Sequence, residues 1–475
     1  MNLVSMTIPN GVTRIENYTF LGCHSLTSIT LPNSITSIGN NAFWACSSLP
    51  SMTLPDNVIT IGSHAFDECI SLTSITIPNS VTTIGSQAFV FCEKLTSISL
   101  SNNLTTIGFG AFIECKSLTS ITIPSSVKSI GEWVFYYCES LTSIDVENEN
   151  NHFSSEDGIL YNKDKTTLIC CPAGKTSIYD IPNSVTKIDY SAFSTCTHLT
   201  SIILPNSVII IEEEAFSYCT NLTSMTIPNG VTHVKYGTFG ACTSLSSITI
   251  PKSVILIGSH AFANCRNLTS ITNLNPNPIF LYSDVFSGVN QSQCTMEVPT
   301  SAVSAYQNAV VWKEFNIVGG GIAVNPTTNI NRYGYTMGEG LYEAGDMVDV
   351  MAVAYDGYKF VNWTKDGVEV SDRELYIFTV TEDVELIANF EKDDVGIDEL
   401  RVTNYELQVY PNPVNYELKI TNYMGGAVEI FNLMGRRVMF FESLPLHKVT
   451  IDASPLPNGI YFLKIGKNTV KFVKQ

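Results

Sequence analysis

Thirteen cysteines and seven histidines are the side chains in this 475-residue chain with the widest chemical reach, since thiols and imidazoles bind metals, form disulfides and act as nucleophiles or bases. Their spacing argues against all of these uses. Cys23, Cys46, Cys69, Cys92, Cys115 and Cys138 follow one another at intervals of 23 residues, and Cys196, Cys219, Cys242 and Cys265 resume the same step. Each stands three residues after a phenylalanine, from Phe20 and Phe43 to Phe239 and Phe262. Such a series describes one recurring buried position, a column of small hydrophobes rather than a reactive site. Equivalent positions in a stack point the same way, whereas a disulfide needs two Cβ atoms near 3.8 Å with a specific twist. Only the adjacent Cys170 and Cys171 leave the column, and their redox state stays open. No C-x-x-C pair suggests zinc.

The histidines fall at scattered phases of the period, and His64 and His260, which share a phase, are too distant to share a ligand. They read as surface or capping residues. Glu212-Glu213-Glu214 is expected as a solvated acidic turn, because consecutive side chains diverge. G-x-S-x-G, phosphate-cradling glycine loops and recurring paired carboxylates are lacking, so the sequence carries no positive sign of an enzyme, a cofactor or a metal.

The element that repeats reads Leu-Thr-Ser-Ile-Thr-Ile-Pro-Asn-Ser-Val-Thr-Thr-Ile-Gly-Ser-x-Ala-Phe-x-x-Cys. Ile75 and Ile77 alternate with Ser74 and Thr76, which predicts a strand with one buried face. Pro78 and Asn79 turn the chain, Val81 and Ile84 add a second apolar pair, and Gly85 permits another bend. Ala88, Phe89 and Cys92 fit one helical or 3₁₀ turn. One coil cannot bury its own flanks, so only stacked coils sharing a parallel ladder are stable. The predicted fold is therefore mainly β: a solenoid of 23-residue coils over residues 1–318, then two small β domains.

Between Cys138 and Cys196 the step is 58 residues, 35 more than one period. Two β-favouring runs around Asn162-Lys163-Asp164-Lys165 predict a hairpin projecting near 150–172. Beyond Cys265 the period loosens into a closing cap, 270–318, and Gly319-Gly320-Gly321 reads as a flexible joint. Residues 322–392 hold strand-like runs at Met347 to Val353, Tyr358 to Trp363, Leu375 to Val380 and Val384 to Phe390, split by Asp356-Gly357 and Asp366-Gly367. Residues 405–475 read as a β-sandwich of short strands, entered through an acidic linker from Glu391 to Asn404.

These units resemble the BspA-like leucine-rich repeats, and the Gly158-Ile159-Leu160-Tyr161-Asn162-Lys163-Asp164 hairpin is similar to an insertion common in that family. The Gly357-to-Trp363 and Leu386-to-Phe390 runs resemble divergent B-repeat modules of bacterial surface proteins. The tail is similar to the C-terminal sorting domain of type IX secretion substrates in Bacteroidetes, through Pro411, Asn412 and Pro413, then Gly435, then Gly459 and Tyr461, then Lys471, Phe472, Val473 and Lys474. The resemblances imply a protein exported to the cell surface or exterior of a Gram-negative bacterium, with the secretion machinery as one partner. Host matrix proteins, other bacterial surface proteins or surface glycans are the implied ligands, which makes the chain an adhesin; the alternative is a non-binding stalk or layer component.

Composition agrees with an exported binding protein. The net charge is −18, from 26 basic and 44 acidic residues, and that balance argues against nucleic acid, since nothing would neutralise phosphate charge over a contiguous surface. No run approaches the roughly 18 apolar residues of a membrane span. Met1 to Phe20 has neither a basic nor an apolar signal region, so the secretory signal is expected to be missing from this chain and its first coil to lack a cap.

The strand face turned away from the core is the candidate contact surface. Its residues are Ser28 and Thr30, Ser51 and Thr53, Ser74 and Thr76, Ser97 and Ser99, Ser120 and Thr122, Ser224 and Thr226, and Ser247 and Thr249. These form two columns of short hydroxyls with little entropy to lose on contact. An inert solvated face is the competing reading, and a regular ice-binding lattice is disfavoured by Asp145 and Ile203, which interrupt the columns.

Overall fold

The computed structural model describes residues 3–176, 181–355, 357–393, 408–410, 417–423, 428–432, 437–441, 447–457, 459–465 and 468–474. It divides into two compact units, Met1–Glu297 with Ala305–Ile317, and Val298–Ser304 with Val318–Gln475.

Every regular coil of the first unit has three sides. The first is the expected strand: Ser51–Thr53, Ser74–Thr76 and Ser97–Ser99 run parallel in exact 23-residue register, Met52 opposite Ile75 and Ile75 opposite Ile98. The second side, anticipated only as an apolar pair, is itself a ladder. Arg14–Ile15, Ser37–Ile38, Thr60–Ile61, Thr83–Ile84, Thr106–Ile107 and Ser129–Ile130 form one six-stranded parallel sheet. The third side is the turn through Ala-Phe-x-x-Cys. Its three-residue bonds, such as Cys92 N to Phe89 O at 3.2 Å, alternate with bonds between coils, such as Phe66 N to Ala88 O and Phe89 N to Ala111 O at 2.8 Å. Gln87 and Phe91, at φ 55° and 57°, lie in the left-handed region, so the turn never continues as a helix. The intercoil bonds compensate that backbone cost, because each one saturates a buried donor.

Side chains fill the interior in columns. Phe43, Phe66 and Phe89 stack with centroids 5.3 and 5.2 Å apart and planes within 6°. The glycine after the second ladder plays a different part from the bend expected of it. A Cβ on Gly85 would lie 2.4 Å from Ser63 N, so the residue is small because the neighbouring coil's backbone passes there.

The insertion does not project. Phe153–Glu156, Ile159–Asn162 and Thr167–Cys170 form an antiparallel sheet, and Thr167–Cys170 then pairs in parallel with Lys187–Ile188 of the next coil. Leu160, Tyr161 and Leu168 are wholly buried. The hairpin thus replaces one coil within the stack, because its alternating apolar residues find the same core that an ordinary coil would cover. Asn150 anchors it: its buried amide donates to Pro124 O and Val127 O and accepts from His152 N and Phe153 N.

At the far end, the stack is closed by residues 305–308 and Trp312–Glu314. Tyr306 donates to Asn275 O at 3.0 Å, Trp312 Nε1 to Ile279 O at 2.8 Å, and Phe315 meets the last stacked ring, Phe286, edge-on at 4.9 Å.

In the second unit the glycine run is held rather than free: Gly320 N donates to Val298 O, and Gly321 O accepts from Thr300 N. Ile322–Thr328, Gly340–Tyr342, Tyr358–Lys365, Val368–Ser371 and Val384–Lys392 share one sheet, and Gly334–Met337, Met347–Ala354 and Leu375–Thr379 another. Val350, Trp363, Leu386 and Phe390 are buried between them. The strands Gln408–Tyr410, Glu417–Tyr423 and His447–Asp452 form a three-stranded sheet, and Val428–Asn432, Arg437–Phe441, Gly459–Ile465 and Asn468–Lys474 a four-stranded one. Leu418, Ile430, Ile451 and Leu463 form their core.

Candidate binding surface

The first strand of each coil has room for only one inward residue between two outward ones, and the sequence puts Ile or Met inward. Ser28, Thr30, Ser51, Thr53, Ser74, Thr76, Ser97, Ser99, Ser120, Thr122, Ser224 and Thr226 are exposed, and Ser247 and Thr249 half-buried. The parallel register sets them in columns: Ser51 beside Ser74 and Ser97, Thr53 beside Thr76 and Ser99, Ser224 beside Ser247 and Thr226 beside Thr249. Neighbours along a column are about 4.8 Å apart.

A second threonine column, one residue earlier in each coil, was not distinguished from these by the sequence. Thr27, Thr73, Thr96 and Thr223 each donate to a carbonyl of the preceding coil at 3.1 Å. Their hydroxyls serve the fold. Those of the candidate columns make no such bond among the described residues and stay available to a partner. The recurring Leu-Thr-Ser triplet was the signal, because a residue between a buried Leu and an outward Ser lies at the strand's entry, against its neighbour's carbonyl.

The face is not continuous. It runs to Ser143–Val146, where Asp145 stands opposite Thr122 and accepts from Ser143 Oγ at 2.9 Å. There Ile144 N turns to Gly158 O of the insertion. Around Ile203 the described coil has isolated bridges in place of a strand, among them Ser201 to Ser224. The columns resume at Ser224.

All thirteen cysteines are free thiols. Burial pushes the Cys46 and Cys265 thiols up to about 12, which favours the protonated, unreactive form. Among the described residues no group of three or more His, Cys, Asp or Glu side chains could hold a metal ion. No described helix is long and apolar enough to cross a membrane. His64 Nδ1 bonds Asp67 Oδ2 at 2.9 Å and His260 Nδ1 lies 3.3 Å from Asp284 Oδ2, so both histidines have local partners.

The acidic triplet departs from expectation. Glu213 is exposed and Glu214 half-buried, but Glu212 is buried between Lys187 and Lys235 of the flanking coils. Burial pushes its carboxyl up, yet Lys235 and then Lys187 outweigh that and hold it below the usual range. The signal was in the repeat: Asp189, Glu212 and Lys235 occupy the position of Gly85, and side chains there must stack on one another.

In the tail, Gly459 opens the strand Gly459–Ile465, and buried Tyr461 donates to Pro457 O at 2.8 Å. Lys471, Phe472, Val473 and Lys474 lie on its partner strand, Asn468–Lys474. Pro411, Asn412, Pro413 and Gly435 lie outside the described residues, as does most of the linker after Asp393.

A solenoid of short parallel coils with a hydroxyl-bearing strand face is a leucine-rich repeat architecture. Residues 1–92, 59–180 and 171–293 match the BspA type leucine rich repeat region, in six copies, and the chain belongs to that family. Residues 322–394 match the divergent InlB B-repeat domain and 408–475 the secretion system C-terminal sorting domain. Among solved structures the chain is similar to the pneumococcal vaccine antigen PcpA, at 24% identity over 67% of this chain and 89% of that one, with a TM-score of 0.56. A leucine rich cell surface protein from Faecalibacterium prausnitzii A2-165 is 29% identical over 67% and 88% of the two chains, with a TM-score of 0.51. No curated protein matches. The chain is thus a leucine-rich repeat protein with a type IX sorting tail, a secreted or cell-surface protein of Bacteroidetes-type bacteria.

Proposed function

We propose that this protein is an adhesin, a non-enzymatic binding protein that uses its repeats to contact host extracellular-matrix proteins, other bacterial surface proteins or surface glycans. In this reading residues 1–318 bind, 322–392 act as a spacer, and 405–475 address the chain to the type IX machinery. The observation that carries it is the pair of outward columns whose hydroxyls, unlike those of the Thr27 column, are not used within the fold. Short hydroxyl side chains on a hydrogen-bonded ladder lose little entropy when a partner lies across them. The family match and the likeness to a leucine rich cell surface protein support it.

The test is a binding titration of the full chain against immobilised matrix proteins and whole partner bacteria. Saturable binding is expected, and Thr30→Lys, Thr53→Lys and Thr76→Lys together should weaken it about tenfold or more by placing cations and bulk across one column. No saturable binding to any of these surfaces would favour a stalk or layer component instead.

A further inference from the structure

The place where one coil is replaced also leaves a recess. In a regular coil four residues separate Ile84, on the second ladder, from Phe89, whose N donates to Ala111 O at 2.8 Å. In the insertion only two separate Leu168, paired with Ile188, from Cys171, whose N donates to Ala192 O at 2.7 Å. The outer turn of that coil is therefore cut short, while the turns on either side, Glu132–Tyr137 and Asp189–Ser194, keep their full reach. Between them opens a small recess of about 70 Å³, one missing layer, or about 4.8 Å, across.

Its lining is unlike the rest of the turn face. Trp133 and Tyr136 stack at 5.6 Å and 24° on one wall, and Tyr190 and Ser191 form the other. The half-buried Cys170 and the buried Cys171 lie at the base. Tyr137, beside Tyr136, reaches past the next coil to Tyr218, 6.0 Å between centroids. Glu132 and Asp189 stand in the lining, and Ser191 Oγ is buried there without a hydrogen-bond partner.

The geometry points to a subsite for a neutral pyranose ring of a glycan. Aromatic faces carry negative quadrupoles and attract the C–H faces of a sugar, while the carboxylates and Ser191 Oγ can meet its hydroxyls. The recess is too small to enclose a whole ligand and takes one ring against its aromatic walls, with the few polar groups of its lining fixing that ring's orientation. A cationic ligand is disfavoured because the chain supplies its own cation: Lys187 Nζ lies 5.8 Å over the Tyr190 ring and 3.0 Å from Asp189 Oδ1. Sialylated or sulfated glycans are disfavoured by Glu132 and Asp189. This site is separate from the hydroxyl face and does not depend on it.

Titration of the full chain with neutral manno-, malto- and cello-oligosaccharides, followed by tryptophan fluorescence and by calorimetry, tests the assignment. Trp312 and Trp363 are wholly buried and the indole nitrogen of Trp44 is buried, so Trp133 is the responsive reporter. At least one neutral series should bind saturably with a fluorescence change. Trp133→Gln and Tyr190→Ser, which install the residues that Gln87 and Ser86 provide at the same positions of another coil, should each weaken it about tenfold. Tyr236→Ser, the same change at the same phase of a regular coil, should leave it unchanged, which ties the binding to the recess. Absence of saturable binding, equal binding by Trp133→Gln, or tighter binding of sialyllactose or heparin fragments would overturn the assignment.

Discussion

The thiol of Cys92 donates to the backbone carbonyl of Phe66, one coil earlier and 26 residues back, at 3.2 Å. The same bond recurs from Cys69 to Phe43, from Cys115 to Phe89 and from Cys242 to Phe216, at 3.1 to 3.3 Å. Each phenylalanine carbonyl also accepts the N–H three residues on, Cys69 N to Phe66 O at 3.2 Å, so the thiol from the next coil supplies a second bond to a buried acceptor. Cys92→Ala, which removes both the donor and the sulfur's volume, should therefore destabilise the repeat unit by about 1–3 kcal/mol, read from chemical denaturation.

Thiol reagents should separate the column from the surface. With Cys46 and Cys265 pushed up to about 12 by burial, neither is a thiolate at pH 8, and neither is accessible. Maleimide labelling of the folded chain, located by peptide mass, should leave the column unmodified until denaturant is added. Rapid labelling of Cys69 or Cys92 under native conditions would contradict this.

Glu212 should make the stack acid-sensitive. Its folded pKa lies below the usual carboxylate value, so its contribution is present in full above the unfolded pKa, near 4.3, and is lost as pH falls through the folded value. Glu212→Gln should reduce stability at pH 7 by about 1.5–3 kcal/mol and flatten the loss between about pH 5 and pH 3. Melting curves across that window provide the readout, and parallel curves for both proteins would count against the Lys187–Glu212–Lys235 linkage.

Asn150 should matter more than its place in a polar stretch suggests. Four hydrogen bonds converge on its wholly buried side chain, two donated to the coil before the insertion and two accepted from the insertion's entry. Asn150→Ala removes the side-chain partner of Val127 O, His152 N and Phe153 N, leaves Pro124 O with Val127 N alone, and should cost about 2–4 kcal/mol. Hydrogen exchange should show the first loss of protection in Phe153–Cys170.

Much of this was legible in the residues. The alternation of Ile75 and Ile77 with Ser74 and Thr76 specifies which strand face is buried, and the 23-residue return of Phe and Cys specifies stacked columns. The role of Gly85 was not legible, since a bend and a close approach both call for glycine, and only the coil beside it distinguishes them. Nor was Glu212, because an acidic triplet looks solvated until the flanking coils bring Lys187 and Lys235 to it.

By itself the sequence determined the period, the inward and outward sets, and the families of the three segments, because these depend on side-chain order along one chain. Tertiary structure alone decided that Thr27 spends its hydroxyl on Val4 O while Thr30 does not, that the Ile159–Asn162 hairpin joins the stack, and that Trp133 faces Tyr190 across a shortened coil. The physical reason is common to all three. Each depends on what lies one or two coils away, close in space but some 20 residues or more along the chain, and local pattern carries no record of which groups meet there.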